Sequence, residues 1–459
     1  MTDGEPTSRL DHPDGEQRWL RDPRWARVAD VDTRGALTAY RRLLVVAAHP
    51  DDECLGAGAL IADAADLGVH VTVLVLTDGE GSHPTSPTVG PEEMRTLRAL
   101  EADRAAAVLA PDAVVVHAGL PDGGLAERHD DVVALVRGLT DEHTLVLAPW
   151  TGDGHPDHDA AGRAAQAAVS SGDDGATGGG AGLAHYLVWF WHWSATDDLP
   201  WSRAVAVDAT LSGITRAGLA LAEHRTQVEA LSPEPGDEQL LTTGVLAPAR
   251  RGFTTLLLAD GTAPMTRPGG GADRRGASFD AMFEDGDDPW SSDSWYERRK
   301  RDLTLAVLRH ERYARVLDLG CSTGALTKAL ARRADEVVGV DGSEPALEVA
   351  RRDTPSTVRW VHGRAPGVVE EIDGTVDLAV LSEVLYFLTP FELWRTLAAV
   401  LCRLAPGGEL VLVDWRHPTE DIPLDGPTVH DLVRGACGPW LTVSHVEPDV
   451  LVDCYEVTS

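Results

Sequence analysis

LLVVAAHPDDECLGAG, residues 43–58, decides the fold. Leu43–Ala48 is an uninterrupted apolar run of strand length. A run without polar alternation reads as a strand covered on both faces. Gly56–Leu67 then reads as a helix. Between them stand His49, Pro50, Asp51, Asp52 and Glu53. Adjacent carboxylates repel one another. A chain keeps such a cluster where water solvates it, where it caps a helix, or where a cation sits among the oxygens. A strand that empties into this turn places it at the carboxyl edge of its sheet, where open α/β sheets bind ligands.

The alternation continues outward. Val69–Leu76 is the next strand, Pro91–Leu109 is helical, Ala113–His117 is extended, and Thr144–Ala148 is another apolar run. Strand–helix alternation predicts a mostly parallel sheet with helices on both faces. Ser170–Gly182 (SSGDDGATGGGAG) reads as a surface loop, and Asp260–Ala272 (DGTAPMTRPGGGA) has the Pro and Gly density of a linker. The alternation restarts at Arg315–Asp318. The expected fold class is α/β, with two three-layer α/β/α domains. Residues 1–40 form an N-terminal extension, 41–255 the first domain, 256–278 the linker and 279–459 the second domain.

Composition narrows the function. The chain has 459 residues, 43% of them hydrophobic, enough for two or three domains of roughly 100–200 residues each. Its net charge is −33, and Lys300 and Lys328 are its two lysines. Such a surface argues against nucleic-acid and anionic-membrane partners. The five cysteines are scattered without a C-x-x-C pair, which fits a reducing compartment. The acidic, polar N-terminus lacks the pattern of a secretory signal, and no apolar run approaches a membrane span. The expectation is a soluble, cytoplasmic protein.

A second cluster follows the apolar run Thr144–Ala148: Asp153, Gly154, His155, Pro156, Asp157, His158. Parallel strands bring both clusters to one sheet edge. Together they supply His49, Asp52 and His158, two imidazoles and a carboxylate. Three protein ligands with a position left for water is the pattern of a catalytic zinc site, and the same set suits ferrous iron. Asp51 is placed to accept a proton from water, and His155 to bind a developing oxyanion or protonate a leaving amine.

A-H-P-D-D-E with H-P-D-H downstream resembles the PIG-L/LmbE-like metal-dependent N-deacetylases, over about residues 41–227. The resemblance implies a Rossmann-like fold and removal of an acyl group from an N-acylated amino sugar. It assigns His49, Asp52 and His158 as metal ligands, Asp51 as base and His155 as oxyanion or acid partner. Arg98-x-x-Glu101 and Leu120-Pro121-Asp122-Gly123 look like further family motifs, which makes Arg98 and Asp122 candidate sugar contacts, with surface ion pairing as the alternative. Ala222–Gln227 (AEHRTQ) resembles a late motif of the family. The run Trp189–Trp193 (WFWHW) offers either a stacking platform for a sugar or a core strand.

The second domain opens with Val316-Leu317-Asp318-Leu319-Gly320-Cys321-Ser322-Thr323-Gly324, a strand entering a glycine-bearing turn. Val337–Asp341 is a second strand ending in an acid, close to the roughly twenty residues on where a carboxylate grips ribose hydroxyls. The G-x-G-x-x-G cradle for a pyrophosphate is missing. The turn and acid resemble the class I S-adenosylmethionine (SAM) methyltransferases. That resemblance puts Asp318, Gly320, Cys321, Gly324, Asp341, Ser382 and Glu383 at the cofactor. Asp288-Pro289-Trp290, Trp295–Lys300, Leu381–Leu388 and the stretch from Trp415 to Asp431 narrow it to the nodulation-type (NodS-like) N-methyltransferases. Glu383, His417 and His430 are candidates for contact with an amine, or are structural.

The two halves explain each other, because amide hydrolysis exposes an amine and an amine accepts a methyl group. The expectation is a bifunctional enzyme acting on a small amino-sugar substrate, with zinc or iron(II) and SAM as cofactors. Alternatives are O-methylation in the second step, or a second domain that senses SAM without chemistry.

Overall fold

The computed structural model describes residues 15–170, 181–266, 279–284, 286–419 and 422–458. Among these, residues 24–266 belong to one compact unit and residues 279–458 to a second.

The first unit is built on an eight-stranded sheet. Its strands are β1 (Ala29–Asp32), β2 (Arg42–Ala47), β3 (His70–Thr77), β4 (Val114–Leu120), β5 (Thr144–Pro149), β6 (Gly182–Tyr186), β7 (Ala204–Asp208) and β8 (Phe253–Leu258), in the order β1-β7-β8-β6-β5-β2-β3-β4. All pairs are parallel except those of β8 with β6 and β7. The helices that matter for the site are α1 (Asp52–Asp66), α2 (Pro91–Leu109), α3 (His129–Leu139), α4 (Pro156–Ser170) and α5 (Leu211–Glu223). The absence of alternation in β2 has the expected cause. Leu43 and Val45 pack with Leu60 and Ile61 of α1 on one face. Leu44 and Val46 pack with Ala161 and Ala165 of α4 on the other.

From β2 the chain winds to β3 and β4 on one side, then returns to β5 on the other. The switch point therefore lies between the carboxyl ends of β2 and β5, where a crevice opens in such sheets. Both His/Asp clusters occupy that point.

The second unit has a seven-stranded sheet of β9 (Tyr313–Leu319), β10 (Ala334–Asp341), β11 (Val358–His362), β12 (Val376–Ser382), β13 (Leu404–Trp415), β14 (Leu441–Val446) and β15 (Val450–Val457). The order is β11-β10-β9-β12-β13-β15-β14, with β15 antiparallel to both neighbours. Helices α6 (Trp295–Val307), α7 (Ala325–Leu330), α8 (Glu344–Ala350), α9 (Pro390–Arg403) and α10 (Gly426–Cys437) accompany it. Its switch point lies between β9 and β12. Both units are thus α/β sheets of Rossmann-like winding.

Several boundaries differ from the expected ones. Residue 255 falls inside β8, which pairs with β6 and β7 and so belongs to the first sheet. Part of the expected extension 1–40 is β1, which pairs with β7 at the sheet edge. The helix α1 starts at Asp52, four residues early, so two of the three acids lie in its first turn. Trp189–Trp193 is not a strand, and Phe190–Trp193 forms one helical turn. The middles of the expected surface loop (171–180) and of the expected linker (267–278) lie outside the described residues. No helix among the described residues is long and apolar enough to cross a membrane.

Candidate active sites

In the first unit, β2 delivers His49, the α1 start delivers Asp52, and the first turn of α4 delivers His158. Asp52 lies between the imidazoles. Its Oδ2 is 3.6 Å from His49 Nδ1 and its Oδ1 is 3.2 Å from His158 Nε2. The far nitrogen of each ring meets other carboxylates. His158 Nδ1 donates to Asp153 at 2.8 Å, and His49 Nε2 faces Asp122 at 3.2 Å and Asp157 at 3.4 Å. A carboxylate only accepts, so when a ring is neutral the contacts on its far nitrogen compete with Asp52 for its one proton. His158 Nε2 is buried and has no hydrogen-bond partner among the described residues. With each ring neutral and its proton on the far nitrogen, the near nitrogens and the Asp52 carboxylate would make a donor set for a divalent cation.

The electrostatics agree. Burial opposes a charge on His158, but Asp52 and Asp153 outweigh it and raise the ring to about 9. Burial likewise opposes charge on His49, and Asp122, Asp157 and Asp52 still push it well above its usual value. Without a cation, these carboxylates draw protons onto the rings. His155 approaches both, its ring centroid 4.9 Å from that of His49 and 4.8 Å from that of His158. Ligand atoms of His49, His155 and His158 lie within 4.8 Å of one another, so the three imidazoles form a second possible donor set. Burial, followed by the charge of His158, lowers His155 to about 3 and keeps it neutral.

Asp51 precedes α1 but its side chain does not cap it. Its backbone is held at φ 126°, rare for a residue with a Cβ, and such outliers concentrate at functional sites. Glu53 accepts its backbone N–H at 3.2 Å, and Arg98 binds its Oδ2 at 2.9 Å. Burial raises the Asp51 carboxyl to about 6 although Arg98 opposes the rise.

Arg98 is held at the site rather than on the surface. It is 3% exposed, and its guanidinium donates to Asp51 and to the carbonyls of Pro50 and Gly79. Its partner in the motif, Glu101, accepts from the backbone and hydroxyl of Thr226. Asp122 is partly open, but one oxygen accepts from the Gly81 N–H and the other faces His49, so its first task is to orient that ring.

Sequence reasoning gave no role to Asp153, Asp157, Glu53 or His224. Asp153 is fully buried and accepts from the backbone N–H groups of Val188, Trp189 and Phe190 besides His158. Asp157 accepts from Gly123 and Leu125. Glu53 faces His224 Nε2 at 3.4 Å. Asp157, Glu53 and His224 lie within the quoted motifs, which was the available signal.

In the second unit, Gly320 and Gly324 both have positive φ, 81° and 78°. A Cβ on Gly324 would stand 2.4 Å from the Trp360 ring, so the turn after β9 requires glycine there. Cys321 is buried within this turn. Asp341 ends β10 and accepts from the backbone of Ser322 and Ser343, one bond to each oxygen. Each oxygen keeps a lone pair for a ligand hydroxyl.

Two of the expected cofactor residues have protein partners. Asp318 is 1% exposed and bonded to the Thr327 hydroxyl at 2.6 Å. Burial raises it to about 7 despite that bond, which ties the turn to α7. Glu383, at φ 57°, accepts from Lys300 Nζ at Oε1 (2.9 Å) and from the Tyr386 hydroxyl (2.5 Å) and the Trp415 N–H (3.1 Å) at Oε2. Ser382 remains half-buried at the end of β12. Of the amine candidates, His417 is exposed and paired with Asp449. His430 is buried between Asp414 and Asp453.

The PIG-L family (GlcNAc-PI de-N-acetylase) matches residues 44–169, and a methyltransferase-domain family matches residues 316–408. The chain thus carries a PIG-L deacetylase domain followed by a methyltransferase domain. Among individual proteins, Nodulation protein S of Rhizobium tropici is 35% identical over 130 residues, covering 27% of this chain and 54% of that protein. The 1D-myo-inositol 2-acetamido-2-deoxy-alpha-D-glucopyranoside deacetylase of Actinosynnema mirum is 31% identical over 166 residues, covering 29% and 57%. A solved structure of the N-methyltransferase NodS from Bradyrhizobium japonicum WM9, in complex with S-adenosyl-L-homocysteine, is 25% identical with a TM-score of 0.34, covering 39% of this chain and 96% of that one. The chain spans 54% to 62% of the length of the first curated relatives it matches.

Proposed function

We propose that the protein hydrolyses the amide of an N-acylated amino sugar in its first domain and transfers a methyl group from SAM to the exposed amine in its second. The observation that carries the first step is the pair of imidazole nitrogens turned toward the buried Asp52, with another carboxylate on the far side of each ring. His49, Asp52 and His158 would hold a zinc or iron(II) ion. When bound, such an ion supplies Lewis acidity to an amide carbonyl and to water.

The chain's own groups do the rest. Asp51 accepts the proton of the attacking water. It is ionised at neutral pH, and burial brings its basicity toward the operating range. Arg98 and the Glu53 contact fix its position. Neutral His155 donates an N–H to the developing oxyanion. The proton taken by Asp51 passes to the departing nitrogen, so that amide and water become amine and carboxylic acid, whose own proton is then lost to solvent. Asp153 and the Asp122/Asp157 pair keep His158 and His49 in the required tautomers.

In the second domain, the glycine turn and Asp341 fit SAM at the switch point, with Asp341 receiving the ribose hydroxyls. The similarity to Nodulation protein S favours nitrogen as acceptor. Methyl transfer needs the neutral amine in line with the sulfonium, so positioning supplies the acceleration. His158→Ala tests the assignment. It should lose most bound metal, by elemental analysis, together with deacetylation. Wild-type metal content would refute the ligand set, and loss of metal in a His155→Ala variant as well as in His158→Ala would favour the three-imidazole set.

A further inference from the structure

Asp51 departs from a pattern that two other aspartates of the chain follow. Asp32 precedes the helical turn Thr33–Ala36, and Asp425 precedes α10. Both have extended backbone, at φ −85° and −113°. Both side chains cap the helix, accepting from the N–H groups of Gly35 and Thr428 at 2.7 and 2.9 Å. That is the ordinary behaviour of an aspartate before a helix. Asp51 holds the same place before α1, yet its φ is 126° and its side chain makes no capping bond. The carboxylate turns to Arg98 instead.

The two peptide planes that set this angle are both held. After Asp51, its carbonyl accepts from the N–H groups of Cys54 and Leu55 at 3.0 and 2.9 Å. Before it, the plane is gripped from two sides. Arg98 donates to the Pro50 carbonyl at 2.5 Å, and the Asp51 N–H donates to Glu53 Oε2 at 3.2 Å. Glu53 is fully buried and is held in turn. Its Oε1 accepts from the Cys54 thiol at 3.4 Å and faces Nε2 of His224, the first residue past α5, at 3.4 Å. Without Glu53, the plane is free to turn to the extended backbone that a residue with a Cβ prefers. The Asp51 carboxylate then closes on the start of α1, as those of Asp32 and Asp425 close on theirs.

We propose that Glu53, backed by His224, is a positioning residue that holds the Asp51 peptide strained and so keeps the base from capping its own helix. The proposal rests on the deacetylase reading for what Asp51 does, and adds what keeps it available.

Two measurements on the full chain test it. The first needs no turnover. At an ordinary helix start serine is more stabilising than glycine, because its hydroxyl caps in extended backbone. At a strongly positive φ glycine is the better residue. Asp51→Gly should therefore unfold at a higher temperature than Asp51→Ser. In the Glu53→Ala background the order should reverse, and His224→Ala serves if that chain does not fold. A serine variant that is the more stable from the start, or an order that survives removal of the brace, overturns the proposal. The second measurement follows cleavage of methyl 2-acetamido-2-deoxy-glucopyranoside by the zinc-loaded protein. Glu53→Ala should lower kcat roughly 100-fold, with KM and zinc content close to wild type. Glu53→Gln, which keeps an acceptor oxygen, should recover most of it. Unchanged kcat, or zinc lost in step with kcat, overturns the proposal. If the wild type cleaves no amide, the deacetylase reading fails, and the unfolding order still decides whether Glu53 holds the turn.

Discussion

Asp153→Asn replaces one oxygen with an NH2 group and leaves the shape unchanged. In the wild type, Oδ1 accepts from Val188 and Phe190, while Oδ2 accepts from Trp189 and His158 Nδ1. The asparagine has two ways to sit. With its amide group in the Oδ1 position, two backbone N–H donors lose their acceptor. With it in the Oδ2 position, Trp189 alone does, because His158 can answer by moving its proton to Nε2. Each unsatisfied buried N–H costs about 1–3 kcal/mol, so the second arrangement wins. It puts a proton on the nitrogen that should face the cation. Loss of such a supporting contact lowers metal affinity roughly 10–100-fold. Competition against a chromophoric chelator reads the affinity, and calorimetry checks that the fold survives with about 1–3 kcal/mol less stability. Wild-type affinity in a folded Asp153→Asn protein would refute the tautomer argument, and with it the reading of His158 Nε2 as a ligand.

Asp341→Asn leaves one of the two turn N–H groups, Ser322 or Ser343, without its acceptor and removes the charge offered to ribose hydroxyls. SAM binding, by calorimetry, should weaken roughly tenfold or more while deacetylation persists, and unchanged affinity would dismiss the assignment. His430 supplies a pH-dependent contribution. Burial opposes its charge, yet Asp414 and Asp453 raise it to about 9. Its pKa is thus higher folded than unfolded, so its stabilisation is complete below about 6.5 and fades as pH rises through about 9. Thermal unfolding of the wild type should lose stability over that window, and His430→Asn should flatten the loss.

Sequence alone conveyed the sheets and the chemistry but not the direction of side chains. Pro91–Leu109 was legible residue for residue because Gly90 and Pro91 mark its start. The edge strand Ala29–Asp32 was not, because ADVD carries two acids and pairs with β7 far along the chain. The two His/Asp clusters were legible because each follows a buried strand. The protein partners of Arg98 and Glu383 were illegible for one reason. A motif names a residue, whereas burial against the carbonyls of Pro50 and Gly79, or beside Lys300 and Tyr386, depends on other elements. Asp153 stands in a T-G-D-G stretch that reads as a turn, and its backbone partners lie 35 to 37 residues away.

The order of the two reactions is the core of the proposed function, and Asp51→Asn measures it. The substitution removes the base of the first domain and leaves the second domain's residues intact. An amide nitrogen shares its lone pair with the carbonyl and is a poor methyl acceptor, whereas a neutral amine is a good one. Given an N-acetylated amino-sugar glycoside and SAM, the variant should yield neither free amine nor methylated product by mass spectrometry. Given the corresponding free amine, it should methylate at close to the wild-type rate. Methylation of the intact N-acetyl glycoside at the wild-type rate would contradict the sequence of deacetylation and N-methylation and point to oxygen as the acceptor.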